Sequence, residues 1–362
     1  MKVALLHYWL TNVRGGEKVL AALGELFPEA DIFTHAYRPE RMDGLLGGRR
    51  VTESFIARLP LGRRHPQAYL PLLPAASRSL NLDGYDLVIS SESGPIKGIR
   101  KPKGARHICY CHTPMRYLWD MHEAYYRAAG LGGKLAMRLF TGYLRREDLK
   151  SAESVDRFVA NSAFVAERIR RIYGRESTVV HPPVDVEFYG RGTFPKQDFY
   201  LLAGQLIPYK RPELAVEACM RMGRPLVVAG DGSLREKLMR LAGGHPGIRF
   251  LGRVPDEVLR RCYAEARALI FPGEEDFGIV PVEAQAAGTP VIALGTGGVL
   301  ETVRAMETGL FFEKASVDAL CGAIEAFEAR AWSPEACRAN AARFARPRFA
   351  AGMRKVCGAD VL

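Results

Sequence analysis

Two glutamates, Glu275 and Glu283, stand eight residues apart in the stretch EEDFGIVPVEAQAAGTPVIA (274–293). A carboxylate accepts two hydroxyl hydrogen bonds at once, so the pair suits the vicinal diols of a ribose or a hexose. The spacing predicts a helix from about Val280 to Ala287, with Pro281 in its first turn and Gly288 stopping it. Glu275 precedes this helix, and favourable charge at a helix start would explain it equally well, as it explains Glu274 and Asp276. That explanation does not reach Glu283, which stands about one turn inside among Val282, Ala284, Ala286 and Ala287. A buried carboxylate without a partner is costly, so Glu283 should have one.

Cations and glycines occupy matching places elsewhere. In AGQLIPYKRPELAV (203–216), Lys210 and Arg211 lie in a loop and Pro212 begins a helix. Two fixed cations after a strand suit a diphosphate; a solvated surface pair is the plainer alternative. Gly15 and Gly16, in TNVRGGEKVL, open a helix where backbone N–H groups can approach a phosphate, or form only a flexible loop. They do not make G-x-G-x-x-G, so a dinucleotide site is not indicated. Gly230-Asp231-Gly232 either brings backbone close to a ligand or turns the chain. Gly297 and Gly298 can present bare N–H groups to an anion.

Parallel sheets must position these residues. Short apolar runs such as VALLHY (3–8), DLVISS (86–91), RHICYC (106–111), FYLLAG (199–204), PLVVAG (225–230) and ALIFP (268–272) alternate with helical patterns. Continuous apolar strands between helices indicate sheets covered on both faces. The fold class expected is α/β, with two doubly wound domains facing across a cleft. The boundaries expected are 1–190 for the first domain and 191–345 for the second, with a final helix, 346–362, packing back on the first.

The chain has 362 residues, 48% of them hydrophobic, which suits two globular domains. No window holds the ~20 uninterrupted apolar residues of a membrane span. MKVALLHYWL has no cleavage-site pattern and reads as a strand. Seven scattered cysteines fit a reducing cytoplasm, and Cys109 and Cys111 read as two thiols on one face of a buried strand rather than a metal site. The net charge is +11, with 28 Lys/Arg against 20 Asp/Glu in residues 1–190 and 23 against 20 beyond. This excess suggests an anionic partner for the first half. No nucleic-acid module accompanies it, which argues against nucleic acid.

The 274–293 stretch resembles the Glu-x7-Glu signature of family 4 glycosyltransferases, retaining enzymes of the GT-B fold. RGGEKVL is similar to the family's glycine loop and PYKRPELAV to its donor-diphosphate loop. YCHTPMRYLWD (110–120) and residues 159–185 are similar to bacterial members, notably mannosyltransferases of surface-polysaccharide assembly. The resemblance covers nearly the whole chain. It implies a nucleotide-sugar donor, with GDP-mannose foremost, no further cofactor and no metal. By it, Glu283 holds the ribose hydroxyls and Glu275 the hydroxyls of the transferred sugar. Phe277, Gly278 and Ile279 offer backbone contacts, Lys210 neutralises the diphosphate with Arg211 beside it, and Gly15 and Gly16 approach it from the other domain. His112 matches a family histidine near donor sugar and acceptor. Gln205 departs from the pattern: it stands where many members carry arginine and has no charge.

The acceptor implied is lipid-linked or a growing polysaccharide. Residues 49–80 carry Arg49, Arg50, Arg58, Arg63 and Arg64 against Glu53, and residues 134–150 are basic and amphipathic. Both read as contacts to an anionic membrane surface, or as ordinary solvated faces. The location expected is the cytoplasm, peripheral on the inner face of the plasma membrane. The alternatives are a UDP-sugar transferase or epimerase of the same fold, or a non-catalytic nucleotide-sugar-binding subunit.

Overall fold

The computed structural model describes residues 1–42, 44–192 and 194–358. Contacts divide the chain into two units, Met1–Pro183 with Phe349–Leu362, and Val184–Arg348. The last four residues of the expected 346–362 segment lie outside the described residues.

The first unit holds seven parallel strands: β1 (Val3–His7), β2 (Asp31–Thr34), β3 (Val51–Glu53), β4 (Leu87–Glu92), β5 (Arg106–Cys111), β6 (Arg157–Ala160) and β7 (Ser177–Val179). Their order is β3-β2-β1-β4-β5-β6-β7, so the winding reverses between β1 and β4. Each central strand is buried on both sides because helices cover both faces. Leu5, Ile89, Ile108 and Tyr110 enter one core, Leu6 and Val88 a second, and Cys109 and Cys111 a third with Phe158. The two thiols thus share one buried face, as the sequence indicated. The helix Arg346–Cys357 completes the first core with Phe349, Met353 and Val356.

The second unit repeats the plan with β8 (Tyr200–Ala203), β9 (Leu226–Ala229), β10 (Ile248–Gly252), β11 (Leu269–Phe271), β12 (Val291–Leu294) and β13 (Gly309–Phe312). Their order is β10-β9-β8-β11-β12-β13, and the reversal falls between β8 and β11. Leu201 and Ala203 face one core while Tyr200 and Leu202 face the other, the period of two expected of a strand. The short helix Val186–Gly190, inside the expected first domain, belongs to this unit, because Tyr189 packs on Tyr263 in its core.

Two strands escaped the sequence reading. β3 is a three-residue edge strand, VTE, with none of its residues fully buried. β13 begins at Gly309, where a Cβ would lie 2.1 Å from the Val291 carbonyl oxygen. Among the described residues no helix is long and apolar enough to cross a membrane.

Candidate functional site

Ligands of doubly wound sheets bind beyond the carboxyl ends of the strands, at the reversal point. In the second unit the loops after β8 and β11 flank that point, and they carry Gln205, Lys210, Arg211 and Glu275–Ile279. Lys210 closes the 3-10 turn Pro208–Lys210, and its Nζ lies 2.5 Å from Glu275 Oε1. The contact is an ion pair rather than an aligned hydrogen bond. Gln205 lines the same small hollow as Lys210, Phe271 and Gly273. Arg211 is exposed and adopts a left-handed backbone (φ 49°) at the start of the helix Pro212–Met222. That conformation is uncommon without glycine and turns the chain sharply just after Lys210.

Glycines hold these loops together. A Cβ on Gly273 would sit 2.4 Å from Lys210 Cα, so the Glu275 loop rests directly on the Lys210 backbone. A Cβ on Gly298 would meet the Asp276 carbonyl oxygen at 2.3 Å, and the Gly298 N–H donates to the Glu275 carbonyl at 2.8 Å. This corrects the sequence reading of Gly298. The Gly298 N–H is already bonded, and the pair serves to let two loops approach. Gly230 and Gly232 act likewise, since side chains there would strike the Gly204 and Leu206 carbonyl oxygens at 1.8 and 2.4 Å. The Gly-Asp-Gly turn therefore packs backbone against the loop that leads to Lys210.

The predicted helix spans Ile279–Ala286, with Gly278 (φ 91°) as its N-cap and Gly288 (φ 81°) beyond its end. Phe277 is buried against Phe344, which leaves its backbone as the part available to a ligand. Glu283 is buried, and its Oε2 accepts a hydrogen bond from the Tyr263 hydroxyl at 3.0 Å. Burial first, then the Glu283 charge, pushes the phenol pKa values of Tyr263 and Tyr189 up. Glu283 thus has the partner its burial demands. Glu274 accepts from the Thr296 hydroxyl at 2.8 Å.

In the first unit, Gly15 and Gly16 begin the helix Gly15–Leu26, which follows β1 beside the other reversal point. A Cβ on Gly16 would lie 3.2 Å from His7 Cε1 and 3.4 Å from His112 Nε2, so this glycine is wedged between two imidazoles. His112 follows β5; its backbone N–H donates to the Glu92 carbonyl and its Nε2 lies 2.9 Å from Ser91 Oγ. Burial, and then His7, pushes the His112 pKa down to about 3, so the ring is neutral at pH 7. His7 is fully buried, 3.6 Å from Glu17. Glu17 in turn accepts from the Arg14 backbone N–H at 2.9 Å.

His7, Glu17 and Ser91 were not among the sequence candidates. A histidine closing the apolar run VALLH was the available signal. Lys97 gave none, being a lone cation in GPIKGI. It is fully buried, with Nζ 2.5 Å from Asp148 Oδ1 and 3.1 Å from Glu92 Oε1. Burial alone would lower its pKa, but Asp148 and Glu92 outweigh burial and raise it. A separate cavity of about 140 Å³, lined by Ile99, Met115, Tyr117 and Leu144, holds none of the predicted residues.

Two family models match the chain. One, described as Glycosyltransferase Family 4, covers residues 13–188, and one described as Glycosyl transferases group 1 covers 187–344. The chain belongs to the family 4 type of GT-B glycosyltransferases. It is 32% identical to the D-inositol 3-phosphate glycosyltransferase of Geodermatophilus obscurus, over 48% of this chain and 46% of that protein. It is likewise 32% identical to the enzyme of the same name from Kribbella flavida, over 48% of each. The chain thus spans about half the length of the curated relatives it matches. Among solved structures it is similar to Anabaena HepE in complex with UDP (TM-score 0.71, 17% identity, 99% of each chain). It is also similar to the lipopolysaccharide outer core galactosyltransferase WaaB in its apo form (TM-score 0.69, 17% identity, 99% of this chain and 100% of that one).

Proposed function

We propose that this chain is a retaining glycosyltransferase that moves a hexose, with mannose of GDP-mannose as the leading donor, to a lipid-linked or growing polysaccharide acceptor. The observation that carries this reading is the Lys210–Glu275 pair at the β8/β11 reversal point, followed in the next helix by the buried, tyrosine-bonded Glu283. A nucleoside diphosphate is the ligand whose chemistry matches that set. Its phosphates take a cation and its ribose a buried carboxylate.

The donor competes with Glu275 for Lys210. As the diphosphate draws the ammonium to itself, Glu275 is released to accept hydrogen bonds from the sugar hydroxyls. Departure of the nucleoside diphosphate develops negative charge on the β-phosphate, which Lys210 stabilises, with Gln205 offering a neutral hydrogen bond. The departing phosphate oxygen takes the proton of the acceptor hydroxyl, on the face from which it leaves. His112, neutral, acts as a hydrogen-bonding group rather than a cation. No metal is assigned a part.

A second reading, a UDP-sugar donor, is favoured by the HepE structure, which was solved with UDP. Thermal-shift measurement with GDP, UDP, ADP and their sugars separates the two, because a ligand specific for the fold raises its melting temperature. Stabilisation by GDP-mannose above all others is expected; stabilisation by a UDP-sugar alone selects the second reading. Product analysis with labelled donor distinguishes transfer from epimerisation. A chain that binds donor yet neither transfers nor hydrolyses it would be a binding subunit.

A further inference from the structure

The helix Leu131–Glu153 turns Leu144, Asp148 and Ala152 inward. At about 100° per residue, Leu131, Leu135, Leu139 and Leu149 gather on the opposite side. They are 89, 60, 65 and 40% exposed. Exposed Arg138, Arg146 and Lys150 stand among them. No residue of 131–143 is buried, nor is any of the preceding helix His122–Ala128. A row of leucines displayed in this way marks a contact surface.

Charge identifies the occupant. Residues 131–146 contain Lys134, Arg138, Arg145 and Arg146 and no carboxylate. Farther along, Glu147 is paired with Arg78, and Asp148 is buried on Lys97. A second copy would bring cation against cation. An anionic lipid surface accepts both components: leucines enter the acyl boundary while arginine and lysine stems reach back to phosphates. By contrast, much of 49–80 is engaged within its own unit. Arg49 donates to the Leu46 and Gly24 carbonyls, Arg63 pairs with Glu53, Arg78 with Glu147, and Ile56, Leu73 and Ala76 form a small core.

We propose that the leucine and arginine face of Leu131–Glu153 lies flat on an anionic bilayer and is the principal membrane-docking element of the chain. The proposal deepens the reading of a lipid-linked acceptor, and rests on it for its purpose, but its residues lie outside the donor site, so each can fail alone.

Co-sedimentation of the full chain with vesicles tests it. Binding is expected to phosphatidylglycerol-containing vesicles at low salt, and about tenfold weaker to pure phosphatidylcholine. The L135E/L139E variant should lose about tenfold, and R138E/R146E should lose the preference for anionic lipid. Both should keep the parent melting temperature and transfer to a water-soluble acceptor. Should the glutamate pair fail to fold, L135Q/L139Q serves the same purpose. The proposal is overturned if the parent chain ignores anionic vesicles, if the leucine variants bind as the parent does, or if light scattering shows a leucine-dependent dimer without vesicle binding. A chain that sediments with vesicles but transfers nothing would sink the enzyme reading and leave the docking surface standing.

Discussion

The candidate residues of the two units are built from opposite materials. In the second unit Lys210 and Glu275 are charged, lie on loops, and are kept in register by backbone packed on backbone: Gly273 under Lys210, Gly298 under Asp276. In the first unit the side chains beside Gly16 are rings at strand ends, with His7 fully buried and His112 held neutral. Under the function proposed, the difference separates two tasks. Recognition of an anion would use fixed charge that can exchange partners, as Lys210 and Glu275 carry. Holding a neutral hydroxyl would use a group that stays uncharged, which burial supplies at His112.

Lys210→Ala tests the charged half most severely. Transfer should fall roughly 10²–10³-fold in initial-rate assays, the scale of losing one transition-state stabiliser, with the melting temperature little changed. Normal transfer would remove the basis of the comparison. Gly298→Ala probes the glycine packing without touching charge. Its Cβ must displace the Asp276 backbone, so transfer should drop by about 10², as displacement of a catalytic group by about 1 Å does. The Tm of the variant should fall as well.

The neutral half is tested by acid. Burial lowers the pKa of His35 to about 3, and that of His107 to about 4 against the opposing pull of Asp156. The unfolded chain takes up these protons near pH 6.5 and the folded unit does not, so their stability contribution is intact above pH 6.5 and is lost as pH falls towards 4. By pH 4.5 the loss is roughly 2–3 kcal/mol per histidine. The second unit contains one histidine, His245, half-buried beside Gly247. Hydrogen exchange at pH 4.5 should therefore show the first unit opening first; simultaneous opening would contradict the contrast. The smallest effect expected is that of Glu283→Gln. The amide still accepts from Tyr263, so the fold should persist while nucleotide affinity, read by calorimetry, drops about tenfold, near the value of a hydrogen bond to a charged group.

Much of this architecture was legible because it rests on local pattern. RHICYC ends in the apolar run Ile108–Cys111, is buried at every position after its arginine, and forms a strand over those same residues. Pro281 and Gly288 bracket their helix because each acts on its own backbone. Glu283 was legible as a carboxylate that must have a partner, but Tyr263 was not, because nothing local marks a pairing twenty residues away. Lys97 with Asp148 lies further out of reach, at a separation of 51. The glycines were a different case. Gly298 and Gly232 have the composition of anion-binding loops, and sequence cannot distinguish a backbone bared for a ligand from one bared for another loop.

The helix Arg346–Cys357 also bears on the order of folding during synthesis. Its Phe349, Met353 and Val356 belong to the core beneath β1, which is synthesised before every other strand described above. The second unit is one uninterrupted stretch, Val184–Arg348, and has all its strands before that helix is made. The half of the molecule translated first must therefore wait with an unfinished core while its successor folds, since domains fold as units when their residues are complete. Ribosome-stalled chains ending before residue 349 should expose this interval as protease sensitivity in the first unit alone.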